Sequence, residues 1–157
     1  MDQGSNTNMA KLSESLRNYF LDTGSIKTAL TDFAVSFFDG AIPTLPSDAV
    51  TGTLLITFTV NDDGVTGGTW GTAVVGNLAR TASEVMSGTC LTGGSPTFYR
   101  VHLLAESPSS ANTVFFRQQG TLGVANADGI LDTTFFPMIL GTVYPLGNVV
   151  IPTYSGN

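Results

Sequence analysis

Thr51-Gly-Thr-Leu-Leu-Ile-Thr-Phe-Thr-Val60 is the stretch on which the fold turns. Read alternately, Leu54, Ile56, Phe58 and Val60 share one side, while Thr53, Leu55, Thr57 and Thr59 share the other. Successive side chains of a strand point to opposite faces. A period of two, with one apolar and one largely hydroxylated face, therefore marks a half-buried antiparallel strand. Asn61-Asp-Asp-Gly64 behind it supplies the turn.

The same texture continues in both directions. Upstream, Phe33-Ala-Val-Ser-Phe-Phe38 reads as a strand closed by Asp39-Gly40 and followed by a loop stiffened by Pro43 and Pro46. Downstream, strands are expected at 69–75, less definitely at 79–86, and at 97–104, where Phe98, Arg100 and His102 oppose Tyr99, Val101 and Leu103. Others are expected at 113–117, 121–124, 134–143 and 148–154, with Pro137 placing its strand at an edge or bulge. Seven or eight short antiparallel strands cut by Gly, Asn, Asp and Pro describe an all-β fold, a β-sandwich or jelly roll.

The N-terminal residues read differently. Residues 1–8 are small, polar and aperiodic, which predicts mobility, and Met9 could be the natural start. From 9 to 21, Leu12, Leu16 and Phe20 recur every four residues with Tyr19 beside them, and Glu14, Arg17 and Asn18 take the far side. That spacing predicts one amphipathic helix ended at Asp22-Thr-Gly24. The expected organisation is an arm and helix over 1–24 and a single β domain over 25–157, a size that needs no disulfide staples.

Only 11% of the 157 residues carry a formal charge, against about 25% in an ordinary soluble domain. So few charges imply a surface partly covered by other protein. The net charge of −6 and six scattered cations offer no basic cluster for phosphates, so nucleic acid is excluded as a partner. Cys90 is the single cysteine, which rules out an internal disulfide and suits folding in a reducing cytosol. No apolar run reaches the roughly 20 residues of a membrane helix, and Met1-Asp-Gln-Gly4 lacks a signal-peptide pattern, so no membrane role is expected.

The search for chemistry returns little. His102 is the only histidine and lacks a Gly-x-Ser-x-Gly elbow to give it a nucleophile, so a structural place at a surface or interface is expected. One histidine and one cysteine also leave no zinc set. Asp62 and Asp63 read as turn residues rather than a carboxylate pair for hydrolysis. Asn126, Asp128 and Asp132 around Gly129 miss the spacing of a calcium loop. Gly64, Gly67, Gly68 and Gly71 form no phosphate loop and read as a mobile hairpin or interface loop, with Trp70 as either a contact anchor or a core residue. No catalytic residue, cofactor or metal site is expected.

Phe37-Phe38, Phe115-Phe116 and Phe135-Phe136 are more telling. Neighbours in a strand face opposite ways, so each pair commits one ring to the core and one to another sheet, the helix or another subunit. The candidate interface is Leu12, Leu16, Tyr19, Phe20, Phe38, Trp70, Phe116 and Phe136, and its expected partner is a second copy of the chain.

Pro46-Ser-Asp-Ala-Val-Thr-Gly-Thr-Leu-Leu-Ile-Thr-Phe-Thr-Val60 resembles a recurrent run in small structural proteins of tailed bacteriophages. Leu16-Arg-Asn18, the strand from Phe33, Ser87-Gly-Thr89 and Phe98-Tyr-Arg-Val101 are similar in placement. The chain departs from that pattern in Phe37-Phe-Asp-Gly40, where a tyrosine strand usually stands, and in its longer leader. The resemblance implies a non-enzymatic virion protein: a capsid cement or decoration protein, a homotrimer in the manner of jelly-roll virion proteins, bound to the major capsid protein. The alternative it implies is a tail, baseplate or fibre component with a receptor- or glycan-binding role, in which Trp70, Tyr99 and Tyr154 stack on sugars. A hydrolase using Asp62, Asp63 or Asp128 is the third expectation, from a different class.

Overall fold

The computed structural model describes residues 11–74, 77–147 and 150–152. It is mostly β, as the sequence predicts. Among the described residues ten strands occur: β1 (Lys11–Leu12), β2 (Phe33–Phe38), β3 (Leu54–Val60), β4 (Asn77–Ala79), β5 (Met86–Thr89), β6 (Phe98–Leu103), β7 (Gln118–Gly123), β8 (Gly129–Ile130), β9 (Val143–Pro145) and β10 (Val150–Pro152). The helices are α1 (Glu14–Asp22) and the single turn α2 (Ile26–Ala29), with a short 3-10 helix at Thr133–Phe135. Among the described residues no helix is long and apolar enough to cross a membrane.

One hydrogen-bonded path, β1-β7-β6-β2-β3-β5-β9, orders the main sheet, and its pairs are antiparallel. β8 adds to β7 in parallel, and β10 pairs with β4 as a separate ribbon. Strand β3 pairs with β2 through Leu54–Phe58 and with β5 through Thr59 and Val60, so the sheet turns along it. A chain of rings shows the result. Phe37 meets Phe58 at 4.8 Å and Phe135 at 6.2 Å, and Phe135 meets Tyr144 of β9 at 5.1 Å. Through Phe135, Tyr144 of the far strand thus joins the rings on the face of β2, and the strands from β1 to β9 form one continuous ladder.

Strand β2 is buried at all six positions, because both faces of the sheet are covered. On the apolar face Phe33, Val35, Phe37, Ile56, Phe58 and Val101 pack under Leu16 of α1, Ala29 and Leu30 of the α2 turn, Trp70, Met86, Phe135 and Tyr144. Burying such side chains contributes about 1.5–3 kcal/mol each.

The N-terminal segment set apart as an arm is, from residue 11, part of this domain. Lys11–Leu12 continues the sheet beside β7, and Ser13 then caps α1 by accepting from the Leu16 amide at 3.3 Å. The helix therefore starts at Glu14 rather than at residue 9. Residues 1–8 and their expected mobility lie outside the described residues, as does most of the 148–154 strand except β10.

Three expected strands move. At 113–117 the Asn112 side-chain oxygen accepts from the Val114 and Phe115 amides, which holds a turn, and the strand begins at Gln118 instead. At 134–143 the Asp132 carboxylate caps Thr134 and starts the 3-10 helix, after which Pro137 sits in a turn, so only Val143–Pro145 remains a strand. At 69–74 the described residues hold isolated bridges instead of a strand, Trp70 pairing with Arg80, and residue 75 lies outside the described residues.

Candidate functional site

The second face of the sheet is also buried, and beyond the stacked Phe38 and Phe98 it is polar. The register sets Thr57, Ser36, Arg100, Gln119 and Lys11 in one row across five strands. Ala34 and His102 follow in the next row, toward Arg117, which lies one residue before β7. Arg100, Arg117 and Gln119 are 0% exposed. Two loops, 41–53 and 104–117, cover them.

Each arginine fixes both loops. Arg100 donates from Nη1 to the Pro108 carbonyl at 2.7 Å, and from Nη2 to the Asp48 carbonyl at 3.2 Å and Gln119 Oε1 at 2.9 Å. Arg117 donates to the carbonyls of Ser110 at 2.8 Å, Ser107 at 3.0 Å and Pro46 at 3.4 Å. Its Nε meets Glu106 Oε2 at 3.0 Å in a buried ion pair. Gln119 Nε2 closes the set on the Pro43 carbonyl at 2.7 Å. Arginine suits this place because its planar fork offers several fixed donors and stays charged when desolvated. Burial, and secondly Arg117, lower the Arg100 pKa only to about 10. Burial pushes the Glu106 carboxyl up, against the Arg117 guanidinium that pulls it down.

His102 is 1% exposed, which corrects the surface or interface place expected for it. The carbonyl of Leu103, 2.8 Å from Nδ1, can only accept, so Nδ1 carries the proton. Nε2 then accepts from the Ser36 hydroxyl at 2.9 Å, and Thr57 donates to Ser36 at 2.9 Å. Burial lowers the His102 pKa to about 4, with Arg117 and Arg100 adding to the effect. A serine hydroxyl within reach of a histidine is the pairing that nucleophilic catalysis uses. Here both partners lie under the loops at 0–1% exposure, and the third group is a backbone carbonyl rather than a carboxylate.

The residues singled out from sequence fall into three groups. Leu16, Phe38 and Trp70 are buried inside their own chain, which corrects their assignment to an interface in this conformation. Phe38 stacks on Phe98 at 5.0 Å. Trp70 stacks on Phe33 at 4.2 Å and donates from Nε1 to the Leu30 carbonyl at 2.9 Å, which makes it a core tryptophan. The glycine run around it is seated rather than loose: Gly67 donates to Asp32 Oδ1, and a Cβ at Gly68 would stand 2.6 Å from the Phe33 ring. Leu12, Tyr19, Phe20, Phe116 and Phe136 are half-buried against the core, Tyr19 against Phe116 at 4.9 Å.

The acidic candidates are engaged locally. Asp62 accepts from the Thr89 amide and hydroxyl, Asp63 from the Val65 and Thr66 amides, and Asp128 from the Thr121 amide and hydroxyl. Hydrogen bonds from Thr66 and Val65 hold the Asp63 carboxyl below its usual range. Among the described residues no group of three or more His, Cys, Asp or Glu is placed to hold a metal ion. Comparison with models of protein families, with curated proteins and with solved structures finds no match.

The polar face went unread in the sequence. Its one signal was the alternation Phe98-Tyr-Arg-Val-His102, which puts Arg100 and His102 on one side of a strand whose other side is apolar.

Proposed function

We propose that this chain is a structural protein of a tailed-bacteriophage virion, a capsid cement protein that associates with copies of itself, as a trimer, and with the major capsid protein. The observation that carries the reading is the outer surface. Of eighteen charged side chains, Arg100, Glu106 and Arg117 are spent inside the molecule, so the exterior is poorer in charge than the composition suggests. Meanwhile eleven large aliphatic side chains among the described residues are more than half exposed, from Leu45 at 53% to Val65 at 79%. Single exposed aliphatics are ordinary, but this many with so few charges suit a part that works against neighbours. The resemblance of Pro46 to Val60 to phage structural proteins supplies the setting.

Immunogold labelling of intact virions tests it. Label over the head supports cement, label confined to the tail replaces it with the tail, baseplate or fibre reading, and absence from particles overturns both. Burial of Trp70 leaves the glycan-binding form of that alternative with one fewer aromatic.

A further inference from the structure

We infer that the end of the molecule built from residues 85–99 and 133–147 is where a second copy of this chain docks. This rests on the assembly reading above and narrows it to one face. Gly94 bridges Met138 and β5 pairs with β9, so the two segments lie side by side.

At this end residues 139–142 form a tight turn in which Thr142 donates to the Ile139 carbonyl at 3.1 Å, with Gly141 at φ 75° in the corner that requires it. The turn is fixed from beneath. Ile139 donates to the Tyr144 hydroxyl at 2.8 Å, Gly141 to the Cys90 carbonyl at 2.8 Å, and Cys90 to the Thr142 carbonyl at 2.9 Å. Turn corners ordinarily carry polar residues. This one holds Ile139 and Leu140 outward at 64% and 66% exposure, beside Val143 and Leu91 at 57% each. A backbone pinned in this way needs no further ordering of the loop on docking, which favours a contact.

Charge selects the occupant. Residues 85–99 and 133–147 contain no charged side chain at all. The carboxylates at the rim are tied down, Asp62 to Thr89 and Asp39 to the Thr53 amide at 2.6 Å. Copies carrying a net charge of −6 repel one another over most of their surfaces, whereas these two segments bring no like charge of their own to the contact. Pro145 leaves β9 without one edge donor, so the contact is made by side chains rather than by extending the sheet.

The test is sedimentation velocity of the full chain over a range of concentrations, with Leu140→Asp and Ile139→Asp as probes and Val114→Asp, at the opposite end of the strand order, as control. The wild type should self-associate, the two probes should weaken association by about tenfold or more, and the control should match the wild type. Unchanged Trp70 emission verifies that each variant is folded. Association of Leu140→Asp equal to wild type, or loss of association in Val114→Asp, overturns this face. A wild-type chain that stays monomeric yet labels virions overturns the inference and the trimer, and leaves only the place in the virion standing.

Discussion

His102 and Arg117 show how a sheet face can be polar and buried at once. Histidine stays neutral there because burial and two nearby guanidinium groups oppose a further positive charge. Its folded pKa of about 4 lies below the ordinary 6.5, so the neutral form is the one the fold favours. The stability this contributes is complete above pH 6.5, is lost as pH falls toward 4, and at about 1.36 kcal/mol per unit amounts to roughly 3 kcal/mol. The raised Glu106 carboxyl works in the opposite direction and offsets part of that loss. Urea denaturation from pH 7 to pH 4 should therefore show falling stability in the wild type and a flatter profile in His102→Gln; equal slopes would refute the role assigned to this histidine. Glu106→Gln leaves the Arg117 charge buried and should cost about 3–5 kcal/mol, whereas the paired change Glu106→Leu with Arg117→Met should recover most of it. A Glu106→Gln variant as stable as wild type would show that the ion pair does not hold the loops.

Among the elements, α1 differs most from its expected place. Leu16 is 0% exposed in the core, and Ser13 receives the Arg117 amide while its own amide donates to the Arg117 carbonyl. Leu16→Ala should cost about 2–5 kcal/mol in chemical denaturation, and deleting residues 1–24 should destabilise the β domain rather than leave it intact. A truncated chain with unchanged midpoint would restore the separate-arm view. Trp70, packed on Phe33, should emit in the blue and resist acrylamide quenching; emission typical of solvated indole would put it back on the surface. The central strands β2, β3 and β6 were legible because alternation in Phe33–Phe38, Leu54–Val60 and Phe98–Leu103 is a local property of the chain. β7 and β9 were displaced because Asn112 and Asp132 turn the backbone with their own side-chain oxygens, at positions where composition still reads as strand. The polar face was illegible for another reason. Alternation puts Arg100 and His102 on one side of β6, but whether water or protein meets that side depends on carbonyls from Asp48 and Pro108, on separate loops.

At the scale of the molecule, two arginines and a glutamate go inward to fix two loops while aliphatic side chains stay outside. A chain of net charge −6 whose docking face is neutral should self-associate more strongly as salt rises, since screening weakens the repulsion between copies. Sedimentation at low and high ionic strength checks this, and association that weakens with salt would indicate an interface of ion pairs instead. The central claim is that the protein reaches its working state against its own copies and a phage particle. The most direct test is electron cryomicroscopy of virions with and without the gene product. The account expects added density on the head, fitted by this β domain with the Leu140 turn at contacts between copies. Particles identical in both preparations, with the chain a dispersed single subunit, would contradict it.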